Sequence, residues 1–209
     1  SPQIDSVEDI VLCNNETSSI ITFTSPNTDG VTIYNWTNDN TSIGLTSSGS
    51  GDIPSFTATN LSIVPEGATI TVTPTYENNG VVCVGAPQTF SITVLSEIVV
   101  SGTPSDAVDC NDPNSGDIDL LVSGGSGSYT FLWSNGATTE DLSNVPAGDY
   151  TVDVTDTEGC TAQSAIFTIW RQDELTVDLV TSIDPNCEAN FVSQINDITV
   201  SGGVPPYSI

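Results

Sequence analysis

The stretch Ala68–Tyr76, ATITVTPTY, alternates along its length: Ile70, Val72 and Tyr76 fall on one side, Thr69, Thr71, Thr73 and Thr75 on the other. A period of two, in β-branched and aromatic residues, describes a strand with one face in a core and one in water. A helix would scatter those apolar side chains around its circumference. GDYTVDVTD (148–156) repeats the pattern, with Tyr150, Val152 and Val154 opposite Asp149, Thr151, Asp153 and Thr155. TFSITV (89–94) adds Phe90, Ile92 and Val94. Turn signals such as Asn135-Gly136 punctuate these runs, and no window carries a helical period. The chain is expected to be all-β, in antiparallel sheets.

Working outward, the strands fall into repeats. Cys110–Phe131, CNDPNSGDIDLLVSGGSGSYTF, returns as Cys187–Ile209, CEANFVSQINDITVSGGVPPYSI. The cysteines are 77 residues apart, whereas Ser123/Ser201 and Tyr129/Tyr207 are 78 apart, which implies one inserted residue. Glu97 and Glu174, also 77 apart, each open a strand-like run. The first 96 residues differ but are related: Cys13 to Trp36 and Cys110 to Trp133 are both 23 residues, and a second cysteine, Cys83 or Cys160, follows each Trp. Modules are therefore expected at 1–96, 97–172 and 173–209. The last would be the first part of an incomplete repeat, in a natural chain that continues.

A Cys, then a Trp, then a Cys is the order of an immunoglobulin-like sandwich, in which the Trp packs on an inter-sheet disulfide. Trp36 and Trp133 are the expected core residues; an ordinary core aromatic at a coincidental spacing is the plainer alternative. Pairing within modules, Cys13 with Cys83 and Cys110 with Cys160, is the expected disulfide set, although four cysteines permit three connectivities. Cys187 would find its partner beyond the chain end. Paired cysteines imply an oxidising, extracellular compartment. The junctions TFSITVLSEIVVSG and FTIWRQDELTV pass almost directly from strand to strand, with no flexible linker. That favours a stiff array, with Trp170 either packed against the next module as an inter-domain contact or left as a partly exposed strand-end residue.

Composition excludes whole classes of function. Twenty-seven acidic residues face one basic residue, Arg171, with no Lys or His, for a formal charge of −26. Nucleic acids and anionic membrane surfaces need the cations this chain lacks. Without His there is no imidazole base, catalytic triad or His-ligated zinc, and without Lys no Schiff base or P-loop. No acidic pair stands out as a hydrolytic couple, so an enzyme is not expected. The apolar runs fall short of the roughly 18 residues of a membrane span, so no membrane insertion is expected. There is no signal-peptide pattern, and Ser1 is expected to open a mature or excised segment.

The residues GDIDLLVSGGSGSYTFLWSNGATTEDLSNVPAGDYTVDVTDTEGCT (116–161), together with Cys110, closely resemble the SprB repeat of giant surface adhesins from gliding Bacteroidota. The matching elements are the first Cys, the SGG-x3-Y turn, the Trp-Ser-Asn-Gly hairpin, the AGDYTVDVTD strand and the closing Gly-Cys-Thr. YNWTNDNTSIGLTSSGSGDIPSFTATN followed by ITVTPTY resembles the PKD-like modules found beside such repeats. The resemblance implies a very long secreted protein, exported by the type 9 secretion system and displayed on the cell surface. Its partners would be neighbouring modules of the same chain, the gliding and secretion machinery, and a substratum or surface polysaccharide. It transfers no catalytic residue.

Calcium is the one cofactor left open. Asp112, Asn114, Asp117 and Asp119 have the alternating oxygen ligands of a calcium loop but lack the bidentate Glu at its twelfth position. The preferred reading is a polar turn with Asp119 on the outer face. A second candidate is a junction site formed by Asp156, Glu158, Asp173 and Glu174, which would offset acidic self-repulsion. Asp5-Ser6-Val7 fits a short bacterial O-glycosylation pattern, and the sequons at Asn15, Asn35, Asn40 and Asn60 are read as composition. A carbohydrate-binding module is the competing function; its aromatic platform would have to come from Trp170, Tyr34 and a few loop residues.

Overall fold

The computed structural model describes residues 2–27, 30–107, 112–171, 176–183 and 193–201. As expected, it is all-β. Packing divides it into two compact units: Ser1–Val100 with Val122–Phe131 and Asp153–Gln163, and Ser101–Leu121 with Leu132–Val152 and Ser164–Ile209. These units of packing differ from the units of sequence repetition, because strand pieces from within the second repeat cluster with the first hundred residues.

The first unit is built on a six-stranded sheet. Its strands are β1 (Ile10–Leu12), β2 (Val31–Asn38), β3 (Ser48–Ser50), β4 (Glu66–Asn78), β5 (Val81–Val84) and β6 (Gln88–Val94). The order is β1-β6-β4-β2-β3, with β5 also paired to β4. Strand β4 contains the decisive alternation: Ala68, Ile70, Val72 and Pro74 are buried and the threonines between them are not. Pro74, which has no N–H to give, sits where one side of β4 changes partner, after Val72↔Gln88 and before Thr75↔Val84. Within this sheet, one strand pairing departs from the antiparallel expectation. Strand β1 runs parallel to β6, Ile10↔Ile92 to Leu12↔Val94, and covers an edge that would otherwise be open.

Facing this sheet, the segments around residues 15–21 and 53–58 form an irregular ladder, bridged at Thr17↔Thr57 and Ile21↔Ile53. Ile53 and Ala58 from these segments, with Phe23, Ile43 and Leu45 from neighbouring connections, join Trp36, Ile70, Val72, Phe90, Ile92 and Val94 in one core. Trp36 is 3 % exposed, and its indole lies flat on Gly49, where any Cβ would collide with the ring.

The remaining strands are β7 (Val99–Ser105), β8 (Gly116–Ser123), β9 (Tyr129–Trp133), β10 (Leu142–Val145), β11 (Gly148–Tyr150), β12 (Val152–Asp156), β13 (Thr161–Gln163), β14 (Phe167–Ile169), β15 (Thr176–Ile183) and β16 (Ser193–Ser201). They pair as β10-β8-β7, β13-β12-β9, β11-β14 and β15-β16. In the second unit Ile118, Leu120, Trp133, Leu142, Val145, Tyr150, Val152, Phe167 and Ile169 are buried. Trp133 meets Phe167 with ring centroids 6.1 Å apart, and its Nε1 donates to Thr139 O at 2.9 Å. The Tyr150 hydroxyl donates to Pro146 O at 2.8 Å, a tyrosine corner of the kind that closes immunoglobulin-like sandwiches.

Candidate functional site, a clamp around Cys160

Three segments of the first unit converge: the connection Leu95–Ile98, the turn Ser123–Tyr129 (SGGSGSY) and the β12–β13 turn Asp156–Cys160 (DTEGC). Asp156 is their hub. It is only 6 % exposed, because the period of two that buries Val152 and Val154 also turns it inward. Its Oδ1 accepts the N–H groups of Glu158 (3.0 Å) and Cys160 (2.9 Å), and its Oδ2 accepts that of Ser126 (2.8 Å). Three backbone donors replace the water lost on burial, without which a carboxylate would not be tolerated there.

The two glycines of the SGG turn are needed for what passes beside them. Gly124 and Gly125 have φ of +89° and +57°, a region that side-chain-bearing residues avoid. A Cβ on Gly124 would run into Glu97 O, and one on Gly125 would lie 2.5 Å from Asp156 Oδ2 and 2.9 Å from Ile98 Cγ1. Gly125 N–H donates to Ser96 O at 3.1 Å. Tyr129 completes the turn by donating its hydroxyl to Gly124 O at 2.5 Å. Burial, reinforced by the Asp156 charge, pushes the Tyr129 phenol above its ordinary pKa. The SGG-x3-Y motif is therefore a socket for the connection Ser96–Ile98.

The disulfide sits against this socket. Cys160 is bonded to Cys13, Cα to Cα 5.6 Å, across 147 residues of sequence. Cys13 directly follows β1, where Leu95 N–H donates to Leu12 O at 2.9 Å, so the start of the chain and the connection leave the sheet together. Cys13 N–H is capped by Glu16 Oε2 at 2.8 Å. A cleft of about 340 Å³ opens beside the bond, lined by Asn14, Asn15, Ser96, Glu97 and Gln163 among others. The Ser96 hydroxyl is buried there with no hydrogen-bond partner among the described residues.

This corrects the expected disulfide set. Cys13 does not pair with Cys83, nor Cys110 with Cys160. Cys83 is free and exposed on β5, the short outer strand of a hairpin whose four residues all face solvent. The bond joins Cys13 and Cys160 because the β1 exit and the β12–β13 turn meet in space. Neither tryptophan lies over a disulfide made within its own module. Cys110 and Cys187 lie outside the described residues.

The metal candidates are not brought together: among the described residues no group of three or more acidic or cysteine side chains is placed to hold an ion. Asp112 Oδ1 accepts Asn114 N–H at 2.9 Å, closing a local turn, and Asp117 Oδ1 accepts Asn144 N–H at 3.1 Å across to β10. Asp119 is exposed on the outer face of β8. In the junction set, the Asp156 oxygens are already occupied by backbone donors, the Glu158 side chain is exposed, and Asp173 and Glu174 lie outside the described residues. Trp170 is 69 % exposed, and the module it is expected to pack against, 173–209, lies partly outside the described residues. Its backbone is held by Asp106 Oδ1 at 2.9 Å and Ala107 N–H at 2.9 Å. Tyr34 packs on the core beside Phe23, centroids 5.5 Å apart, and so offers no open platform.

Comparison with known proteins agrees with the motif reading. The family model of the SprB repeat matches residues 101–138; the chain carries an SprB repeat, and the match includes the SGG turn, Tyr129 and Trp133. Such a repeat points to a cell-surface adhesin. No curated protein matches the chain. Among solved structures, the C-terminal 282-residue fragment of intimin, in complex with the intimin-binding domain of its translocated receptor, is similar at 16 % identity with a TM-score of 0.47. That likeness covers 87 % of this chain and 65 % of the fragment, so this chain spans just under two thirds of it. No helix among the described residues is long and apolar enough to cross a membrane.

Proposed function

We propose that the chain is an internal stalk segment of a very large secreted adhesin that mediates attachment and gliding motility and is exported by the type 9 secretion system. The observation that carries this reading is the SprB repeat at residues 101–138, whose motif residues build a clamp on the preceding connection. The segment is structural and adhesive, with no catalytic role. Its acidic surface keeps neighbouring copies apart, and its partners are adjacent modules, the gliding and secretion machinery, and a substratum or polysaccharide. Calcium at a junction that includes Asp173 and Glu174 remains part of this proposal. Its test is a melting curve with and without excess EDTA, in which an unmoved midpoint removes calcium.

An antibody against the 209-residue chain provides the main test. It is expected to label intact cells of the source organism and to block their attachment to glass. Labelling only after permeabilisation would overturn the reading. The competing carbohydrate-binding function is favoured by a single observation, the exposed indole of Trp170. Glycan-array binding that Trp170→Ala abolishes would place that function first.

A further inference from the structure

We propose that the Cys13–Cys160 bond is a mechanical bypass that takes most of both cores of this segment out of the load path, leaving Ile4, Leu12, Phe167 and Ile169 on loaded chain. The proposal gives a mechanism to the stalk reading above and rests on it only for its biological meaning. A pull applied at the two ends of the chain travels along the backbone to Cys13, crosses the S–S bond and continues from Cys160. Residues 14–159 then form a closed loop that bears no tension while the bond is intact. That loop holds β2 to β12. It also holds Trp36, Ile70, Val72, Phe90, Ile92 and Val94 of one core and Ile118, Leu120, Trp133, Leu142, Tyr150 and Val152 of the other. Outside it lie β1 before Cys13 and β13 to β16 after Cys160.

The surroundings fit this role. The bond is anchored on both sides: Glu16 caps Cys13 N–H, and Asp156 caps Cys160 N–H while gripping the SGG turn. Cys160 is itself 6 % exposed, which limits the access of a thiolate to its sulfur. The pairings expected from the repeats would act differently. They would shield two separate loops, between cysteines 70 and 50 residues apart, and leave the connection between the modules under tension.

Single-molecule stretching of the full chain, held by its two termini, separates these cases. Without reductant the chain is expected to lengthen only by the residues outside the loop. Once reductant is added under load, one further step should appear, about 500 Å long at roughly 3.4 Å per extended residue. Release of the whole contour length without reductant would overturn the bypass, as would two reductant-dependent steps of about 240 Å and 170 Å. Cys13→Ser is expected to abolish the reductant dependence. Should that variant fail to fold, a non-reducing peptide map of the unaltered chain decides the pairing. Cleavage there is made at acidic or aromatic residues, since the chain has one Arg and no Lys. A Cys13–Cys160 peptide is expected, and a Cys13–Cys83 peptide would refute the proposal. These readouts are independent of cell labelling, so the bypass and the adhesin reading can fail separately.

Discussion

Cys83 and Cys160 hold the same place in the pattern of their modules, each the cysteine that follows the core Trp, and the structure treats them in opposite ways. Cys160 lies in a turn whose N–H groups are collected by a buried carboxylate, and it is bonded to a residue 147 positions away. Cys83 lies near the end of a projecting hairpin, on a strand exposed along its whole length, with its thiol free. Equivalent order along the sequence does not confer equivalent roles. What separates the two is what packs around each: the SGG turn and the Ser96–Ile98 connection wrap Cys160, whereas β5 pairs with β4 alone among the described strands.

The comparison breaks most sharply at the cysteines themselves. Cys160→Ser should cost about 4 kcal/mol in urea unfolding, because it frees so long a loop in the unfolded chain, whereas Cys83→Ser should change stability by less than about 0.5 kcal/mol. Equal losses at both positions would mean that Cys83 is also bonded. Asp156→Ala should cost about 3 kcal/mol by stranding three backbone donors. Asp153→Ala, on the outer face of the same strand, loses only the Gln163 Nε2 hydrogen bond and should cost less than about 1 kcal/mol, a contrast readable from paired denaturation curves.

Two finer comparisons follow. Gly125→Ala should cost about 2 kcal/mol, combining backbone strain with a collision against Asp156 and Ile98. Gly127→Ala, at φ +84° with open space where its Cβ would go, should cost about 1 kcal/mol from strain alone. The two tryptophans differ less again. Trp133→Phe should cost about 1 kcal/mol more than Trp36→Phe. The first substitution strands Thr139 O, while the Trp36 Nε1 has no partner to lose among the described residues. Thermal melts of the two variants against the parent chain resolve that difference.

Much of the fold was legible because burial in a half-buried strand is a local matter. Threonine and apolar residues alternating through Ala68–Tyr76 state which face is inward, and the structure buries Ile70 and Val72 accordingly. The SGG-x3-Y turn was legible as a motif, but not what it is for, since nothing in those residues says which backbone passes beside Gly124. Asp156 left a signal that went unused. It continues the inward phase of Val152 and Val154, and an acid in an apolar phase is expected to be held by donors and not left to bind an ion. The parallel placement of β1 against β6 left no such signal, because it depends on where the chain's first strand finds an uncovered edge.

By itself, then, the sequence determined the all-β class, the inward faces of the strands, the two core tryptophans and the presence of an SprB repeat. Each of these follows from side-chain chemistry read over a few residues or at one fixed spacing. Only the tertiary structure decided which cysteines are joined, which acid is structural and which glycines are indispensable. Those outcomes depend on distances between segments far apart in the chain, and a disulfide forms only where two Cα atoms come within about 7 Å, as those of Cys13 and Cys160 do at 5.6 Å.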